Sequence, residues 1–184
     1  MKREALNLFL SSENIDLHCA FLKNLRLKLS IIGKSYPELL NGDSICKNRR
    51  IFRKVPEEVL IETEELMNEI KLHELYFDSF TTKKERYINI RKNFSSEESL
   101  LYEIYALIKN EDHGYAIVYI NEKRRIEFSL SYNKIISSSC NPLLVIDLYE
   151  HSYFYDYFYD KDSYYRKALE KLDFRKIEEA LSSS

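Results

Sequence analysis

The sequence predicts an α+β fold in which helices come first and a small sheet follows. Two observations carry this prediction: the first half holds apolar residues at helical spacing over two long segments, and the second half changes to a helix, short β-branched segments and further helices. Helices followed by grouped strands are typical of the α+β class, whereas strict strand–helix alternation would favour a parallel sheet. A length of 184 residues suits one domain, or two small lobes that share a core.

Two helices are predicted for the first half. Ser11 stands before an apolar pattern that runs from Ile15 to Leu29, and serine is a residue that caps helix starts. The segment 34–54 is predicted to be a connection. Pro56 is expected in the first turn of a second helix that continues to Phe77, because proline is tolerated there.

The second half is predicted to contain a capped helix, three strands and two closing helical stretches. Alternating or β-branched residues between turn residues mark the strands, and serines before acidic residues mark the helix start. In chain order the predicted segments are a helix from about Leu100 to Lys109, strands at 115–120, 126–131 and 143–146, a tyrosine-rich helical stretch, and a final helix from Tyr164 to Leu181.

Composition excludes several classes of function. The three glycines, Gly33, Gly42 and Gly114, lie too far apart for a glycine-rich phosphate loop. The net charge of −2 gives no global argument for nucleic acid, which is therefore not an expected partner. A charged fraction of 32%, without any apolar stretch near the ~18 residues of a membrane span, predicts a soluble protein with no membrane partner.

The cysteine pattern favours a reducing compartment. Cys19, Cys46 and Cys140 are widely spaced and form no C-x-x-C pair, so neither a disulfide framework nor a zinc knuckle is predicted. The N-terminal segment lacks the pattern of a secretory signal. We therefore expect a cytoplasmic protein, with a mitochondrial location as the alternative.

The spacing of one aspartate and one histidine predicts a metal site. Asp147 and His151 lie four residues apart at the end of a predicted buried strand, so both side chains can bind one cation. A carboxylate with neutral imidazole suits Fe, Mn or Zn. Further ligands must come from elsewhere, and His18 and His73 on a pair of antiparallel helices are candidates. The alternative at this point is that Asp147 only caps the following helix, and His113 is given no ligand role.

The segment around this pair resembles a known family. PLLVIDLYEHSYFYDY is similar to P-L-L-x-x-D-x-W-E-H-x-Y-Y, the signature of the iron/manganese superoxide dismutases, and residues 142–174 align with that family without a gap. SSENIDLH resembles the family's first-helix S-x-E-[TS]-[IL]-x-x-H segment, and KLHELYF resembles its N-H-[ST]-x-Y-W segment. The order and spacing of the three segments extend the resemblance over nearly the whole chain.

The resemblance implies a fold, an activity and a cofactor. The implied α+β fold is an N-terminal antiparallel helical hairpin, residues 1–82, followed by a C-terminal α/β lobe, residues 83–184, with a small three-stranded antiparallel sheet. The implied activity is that of a superoxide dismutase, an antioxidant oxidoreductase that converts superoxide to dioxygen and hydrogen peroxide. The cofactor would be one Fe or Mn ion per subunit. Its four ligands would be His18, His73, Asp147 and His151.

The resemblance also implies a homodimer and further site residues. Glu150 matches the glutamate that, in the family, crosses the dimer interface to the other subunit's metal-bound histidine, which places Glu150 and His151 at the interface. Tyr76 keeps the family's tyrosine after the second ligand. Lys161 occupies a position at which the family carries an arginine in the substrate funnel.

Several positions depart from the family. Leu22 and Arg26 replace a histidine and a tyrosine of the family's substrate gate, and Phe154 replaces the tyrosine that bonds this histidine across the dimer. The gate histidine and the tyrosine that bonds it are both replaced. Neither group is therefore left buried without its hydrogen-bond partner. Glu69 stands where the iron type carries an outer-sphere glutamine, and Glu111 stands near where the manganese type carries it. The choice between Fe and Mn therefore stays open, and so does the direction in which Glu69 shifts the potential.

Two alternatives to an active dismutase stay open. One is a catalytically impaired superoxide-dismutase-like protein with a structural role, such as a mitochondrial ribosome subunit, in which the basic run Lys47–Lys54 would contact RNA phosphates. The other is a metal-binding protein with different redox chemistry, which the changes at Glu69 and Arg26 suggest. Retention of all four ligands favours an enzyme. We expect its proton delivery to be weakened because the gate tyrosine is missing, and we expect Arg26 and Lys161 to supply positive charge that attracts the superoxide anion.

Overall fold

The computed structural model describes residues 3–40, 52–83, 85–132 and 141–182, and within them the predicted α+β order is confirmed. The helices are α1 (Arg3–Leu6), α2 (Ser12–Ser35), α3 (Glu57–Asp78), α4 (Ile88–Phe94), α5 (Glu97–Ile108), α6 (Glu150–Tyr157), α7 (Lys161–Leu169) and α8 (Arg175–Ser182). The strands are β1 (Tyr115–Ile120), β2 (Ile126–Ser131) and β3 (Asn141–Asp147). Among the described helices, none has both the length and the apolar character needed to cross a membrane.

Caps fix where the long helices begin. The Ser11 hydroxyl accepts a hydrogen bond from the Asn14 N–H at 3.1 Å, and the Ser96 hydroxyl accepts one from the Ser99 N–H at 3.1 Å. Both serines therefore act as predicted, satisfying N–H groups that have no partner within their helix. Pro56 is the cap residue of α3 and lies one position before the first turn in which it was expected.

The N-terminal half is the predicted antiparallel helical hairpin of α2 and α3. Near the start of α2, His18 packs against Phe77 near the end of α3, with ring centroids 4.9 Å apart. Near the end of α2, Ile32 packs against a buried apolar cluster that contains Leu60 from the start of α3. The two helices therefore run in opposite directions, which brings the first turns of α2 next to the last turns of α3.

Part of the predicted connection between these helices lies within the described residues. After α2, a 3₁₀ turn covers Pro37–Leu40, and Phe52 and Val55 pack on the cluster near Leu60 before α3 begins. Most of the predicted basic run, residues 47–51, lies outside the described residues. Gly42, Cys46 and Cys140 lie outside them as well.

The sheet is three-stranded and antiparallel, with β1 in the centre between β2 and β3. The first two strands match the predicted segments, whereas β3 begins at Asn141, two residues before its predicted start. Tyr115 pairs with Ser131 on one side and with Asp147 on the other. Gly114 precedes β1 with φ +105°, and a Cβ there would lie 2.9 Å from the Ser131 carbonyl oxygen, so this position needs glycine.

The prediction of one final helix from Tyr164 to Leu181 is wrong, because the chain forms α7 and α8 with a break between them. At the break the backbone bonds to the segment that follows α3. The Asp173 N–H donates to the Ser79 carbonyl at 2.8 Å, and the Thr81 N–H donates to the Lys171 carbonyl at 2.8 Å. These bonds between distant segments replace the helical ones.

Two short helices, α1 and α4, were not predicted. The start of α4 is held by the Glu178 carboxylate, which accepts hydrogen bonds from the N–H groups of Ile88, Asn89 and Ile90 at 2.9, 2.9 and 3.1 Å. A negative charge is favourable at the positive end of a helix. The stabilising group comes from α8, about ninety residues along the chain, so the local sequence of α4 carries no signal of it.

A continuous apolar core joins the hairpin to the sheet. Leu72 of α3, Ile104 of α5 and Val145 of β3 are all fully buried in it. The Ser79 hydroxyl accepts a hydrogen bond from the Val145 N–H at 2.9 Å, which ties the end of α3 to β3. This hydrogen bond holds the last turns of α3 beside the strand that ends at Asp147.

Candidate metal centre

Four side chains from α2, α3, the end of β3 and α6 meet where the hairpin faces the sheet, and their candidate ligand atoms all lie within 4.8 Å of one another. Oδ2 of Asp147 lies 3.1 Å from Nε2 of His151 and 3.3 Å from Nε2 of His18. Nε2 of His73 lies 3.7 Å from the same oxygen and 3.3 Å from Nε2 of His151. The structure therefore brings together the four residues that the sequence singled out.

The orientation of Asp147 is set by the backbone that follows it. Oδ1 accepts a hydrogen bond from the Tyr149 N–H at 2.9 Å, which turns Oδ2 toward the imidazoles. The cap residue of α6 is Tyr149, so Asp147 does not have the capping role that was its alternative. Burial alone would raise the pKa of Asp147, but the imidazoles of His151 and His18 hold that pKa well below its usual range. The group is therefore a carboxylate, the form that binds cations.

The backbone of α3 fixes the ring of His73. Nδ1 of His73 lies 2.8 Å from the carbonyl oxygen of Glu69, one helical turn earlier, and 3.2 Å from the Tyr115 hydroxyl. A carbonyl can only accept, so Nδ1 carries the proton and Nε2 presents its lone pair to the cluster. Burial lowers the pKa of His73, against the opposing effect of Asp147. A neutral imidazole is the form that ligates a metal.

His18 provides a test of whether a metal fits this cluster. Its side chain is fully buried, and neither ring nitrogen makes a hydrogen bond with any part of the chain that the structure describes. Nε2 lies 3.3 Å from Oδ2 of Asp147 without forming a hydrogen bond there. A buried polar atom without a hydrogen bond costs about 1–3 kcal/mol, which a cation bound at Nε2 would relieve. Two atoms that each lie about 2.1 Å from one ion are at most about 4.2 Å apart, and the four separations given above, from 3.1 to 3.7 Å, are within that limit. Three imidazoles and one carboxylate therefore fit a transition metal.

His151 is the one member of the cluster that solvent reaches, with 28% of its side chain exposed against 0% for the other three. Two aromatic rings outside the cluster pack against its ring. Phe21 stacks on it at 4.6 Å and Tyr149 at 5.7 Å between centroids. Phe21 also lies 5.3 Å from the ring of His73. From the sequence, Phe21 was only one residue of the apolar pattern of the first helix, and its contact with the ligands was not predicted.

The C-terminal part of the chain decides which family the protein belongs to. The family model described as "Iron/manganese superoxide dismutases, C-terminal domain" matches residues 82–180, just over half of the chain. The chain belongs to the iron/manganese superoxide dismutase family. A search of curated proteins gave no match. Asp147 and His151 lie inside the matched residues. His18 and His73 lie outside them and are assigned to the candidate centre by the distances given above.

In this member of the superoxide dismutase family, a pair of buried tyrosines packs against His18 and bonds to the backbone of Asp147. The hydroxyls of Tyr76 and Tyr164 lie 3.2 Å apart, and the Tyr164 hydroxyl donates to the Asp147 backbone carbonyl at 2.9 Å. The ring of Tyr76 lies 5.0 Å from that of His18. Burial raises the pKa of both tyrosines, so both remain protonated phenols. Tyr164 was not predicted as a site residue, since its contact depends on where α7 packs.

The structure places in different environments the two acids that the resemblance aligned with the family's outer-sphere glutamine. Glu69 is only 4% exposed. Burial raises the pKa of Tyr115 and of Tyr149, and the negative charges of Asp147 and Glu69 add to this effect for both. The Glu111 carboxylate instead accepts a hydrogen bond from the Tyr132 hydroxyl at 2.6 Å, on an exposed part of the surface. Glu69 is therefore the acid that is buried beside the aromatic wall of the centre.

Both cations that the sequence suggested for the substrate mouth are held in ion pairs. The Arg26 guanidinium lies 2.7 Å from the Glu74 carboxylate, and both side chains are at least half exposed. The Lys161 ammonium pairs with Asp112 and donates to the Glu111 carbonyl at 3.1 Å. A carboxylate therefore offsets the charge of each cation.

The remaining predicted residues lie in contrasting environments. Leu22 is buried in the apolar core. Phe154 is exposed on α6, where its ring packs against Phe158 at 5.8 Å and Tyr159 at 5.6 Å. Glu150 is exposed at the start of α6, next to the partly exposed His151.

Proposed function

We propose that this chain is a metal-dependent superoxide dismutase with an altered substrate gate. The observation that carries the proposal is the convergence of three imidazole nitrogens and one carboxylate oxygen at a buried point, in a chain of the iron/manganese superoxide dismutase family. The ligands we propose are His18, His73, Asp147 and His151. The two buried ring nitrogens of His18 without hydrogen bonds support this assignment.

The residues around the ligands would prepare the site for its reaction. A bound Fe or Mn ion would supply the one-electron steps in which one superoxide is oxidised to dioxygen and a second is reduced to hydrogen peroxide. The bond of His73 to the Glu69 carbonyl, and that of Asp147 to the Tyr149 N–H, would hold two ligands in their binding orientation. The rings of Phe21 and Tyr149 would limit the access of water to His151.

Four further residues have proposed roles. Tyr76 would position His18 through ring contact and would support Asp147 through Tyr164. Glu69 would act in place of the outer-sphere glutamine, as a buried acceptor instead of a donor. Arg26 and Lys161 would supply positive charge at the substrate mouth, reduced by their acidic partners.

We further propose that the active form is a homodimer. Glu150 is exposed directly before His151, the one ligand that solvent reaches in the single chain. In a dimer of the family type, Glu150 of one copy would bond the His151 ring of the other. Such a carboxylate would orient the imidazole and increase its basicity.

Metal analysis combined with a superoxide-decay assay tests the proposed function. Protein loaded separately with Fe and with Mn is expected to bind one ion per chain and to accelerate the decay of superoxide. A metal-loaded protein without activity would contradict the enzyme and favour a structural or different redox role for the same fold. A chain that holds no metal at either loading would contradict both the proposed site and the proposed reaction.

A further inference from the structure

A chain of aromatic rings leads from the metal centre to the protein surface. The ring of Tyr149 lies parallel to that of His151 at 5.7 Å. The ring of His113 lies 6.2 Å from Tyr149 and 5.3 Å from Tyr132. The Tyr149 hydroxyl also donates to the Tyr132 backbone carbonyl at 3.0 Å, which links the two ends directly. Tyr132 is 43% exposed, so the path ends at solvent.

Tyr132, the last residue of this path, has a proton acceptor at hydrogen-bond distance. The Tyr132 hydroxyl donates to the Glu111 carboxylate at 2.6 Å. The backbone of Glu111 is itself held in place, because its carbonyl accepts hydrogen bonds from Lys161 at 3.1 Å and from the Tyr165 hydroxyl at 2.9 Å. A phenol that loses an electron must also lose its proton to become a neutral radical, and a carboxylate at hydrogen-bond distance can take that proton.

The tyrosines buried behind the centre lack such an acceptor. The hydroxyl of Tyr76 faces that of Tyr164, which donates to the Asp147 backbone carbonyl. A backbone carbonyl accepts a hydrogen bond but does not take up a proton near neutral pH. The chain contains 15 tyrosines and no tryptophan, so no indole competes as the site of oxidation. Compared with this buried tyrosine pair, the route through Tyr149 therefore favours electron loss.

We propose that Tyr132 is a redox-active tyrosine that supplies an electron to the metal centre when hydrogen peroxide is reduced there. The proposal rests on the proposed function, which supplies both the metal and the peroxide. An iron ion held by the four proposed ligands would supply one electron in passing from ferrous to ferric, and Tyr132 would supply the other. Peroxide would take up these two electrons with two protons from solvent and become two water molecules. Tyr132 would become a neutral phenoxyl radical, and its phenolic proton would pass to Glu111.

This route would carry an oxidising equivalent away from the metal ligands. Tyr149 and His113 act as the bridge and keep their protons, while the radical resides where soluble reductants can reach it. The two rings that stack on His151, those of Phe21 and Tyr149, would then escape oxidation during exposure to peroxide.

Rapid-freeze electron paramagnetic resonance of the ferrous protein mixed with hydrogen peroxide tests the proposal. We expect a tyrosyl signal whose hyperfine pattern changes when the protein is made with ring-deuterated tyrosine. The signal is expected to be lost in Tyr132→Phe and weakened in Glu111→Gln, which keeps a hydrogen-bond acceptor but removes the base. The matched control is Tyr105→Phe. The Tyr105 hydroxyl also donates to a carboxylate, that of Asp162 at 2.5 Å, but its ring is covered by the Arg166 guanidinium.

The outcomes separate this inference from the proposed function. A protein with normal metal content and superoxide decay, but with no tyrosyl radical or with the same radical in Tyr132→Phe, overturns the inference and leaves the dismutase proposal standing. A signal that disappears equally in Tyr105→Phe overturns it too. A chain that takes up no iron contradicts both proposals, and the metal analysis made beforehand identifies that case.

Discussion

At the scale of single residues, the centre depends on hydrogen bonds that decide which atom faces the cluster. One carboxylate oxygen of Asp147 is occupied by the Tyr149 N–H, and one ring nitrogen of His73 is occupied by the Glu69 carbonyl. The other atom of each group is then directed inward. His18 has no such partner in the described residues, and its ring is positioned by packing against Tyr76 and Phe77.

Asp147→Asn is expected to weaken metal binding while preserving the fold. The amide keeps the shape of the side chain and an oxygen that can accept from the Tyr149 N–H, but it removes the negative charge. Removing a group that is only hydrogen-bonded to a metal ligand lowers metal affinity by about 10–100-fold. Because this substitution changes a proposed ligand itself, we expect metal affinity to fall by at least about 10-fold. Elemental analysis after dialysis measures it. Asp16→Asn, at an exposed surface ion pair, is the control and should keep its metal.

Glu74→Gln is expected to accelerate the reaction with superoxide at low ionic strength. The substitution releases Arg26 from its ion pair and adds one unit of positive charge at the proposed substrate mouth. Steering of an anion by such charge is screened within a Debye length of about 10 Å at 0.1 M salt. We expect a rate increase of about two-fold at low salt that disappears in high salt. An equal increase in Glu103→Gln, on the exposed face of α5, would show that net charge alone is responsible.

At the scale of elements, the position of the site follows from how three segments are joined. The antiparallel packing of α2 and α3 places His18 beside His73, and the bond from Val145 to Ser79 sets β3 next to α3. The last residue of β3, Asp147, then reaches both helices. The α6 helix begins three residues later and brings His151 next to the rings of His18 and His73.

Glu178→Ala is expected to destabilise the protein through α4. The carboxylate accepts hydrogen bonds from three backbone N–H groups at the start of this helix, and a hydrogen bond to a charged group contributes about 1.5–3 kcal/mol net. Because these N–H groups are partly exposed, water would replace part of what the substitution removes. We expect the free energy of unfolding to fall by about 1–3 kcal/mol, measured by urea denaturation. Amide exchange at residues 88–90 should accelerate. An equal loss of stability in Glu103→Ala, an exposed glutamate of α5, would contradict this account.

These elements also show what local sequence can and cannot predict. The strands β1 and β2 were predicted with their observed bounds, because alternating residues and turn residues act over a few positions. The helix starts after Ser11 and Ser96 were predictable for the same reason. The break between α7 and α8 and the formation of α4 depend on partners far away in the chain. No local pattern contains that information, which explains both failures.

At the scale of the whole molecule, sequence motifs located the four proposed ligands but not their surroundings. The order and spacing of three short segments pointed to His18, His73, Asp147 and His151, and the structure places them together. Spacing cannot tell which ring covers a ligand after folding. The stacking of Phe21 on His151, and the bond from Tyr164 to the Asp147 carbonyl, therefore required the structure. The ion pairs of Arg26 with Glu74 and of Lys161 with Asp112 were likewise found only in the structure.

Glu150→Ala is expected to weaken the proposed homodimer. The substitution removes the carboxylate that would cross the interface to His151 of the other copy, and truncating one partner of a hydrogen-bonded charge pair costs about 2–5 kcal/mol. Sedimentation velocity over a range of concentrations should show a dimer for the natural chain and a larger fraction of monomer for the variant. Glu103→Ala should behave like the natural chain. A natural chain that is monomeric at all concentrations would contradict the proposed assembly.

The most direct test of the central claim is the location of the bound metal in a crystal of the iron-loaded protein, by anomalous scattering at the iron absorption edge. We expect one strong peak per chain, surrounded by Nε2 of His18, His73 and His151 and by Oδ2 of Asp147. A peak at any other place in the chain, or no peak in crystals grown from protein that contains one iron per chain in solution, would contradict the account.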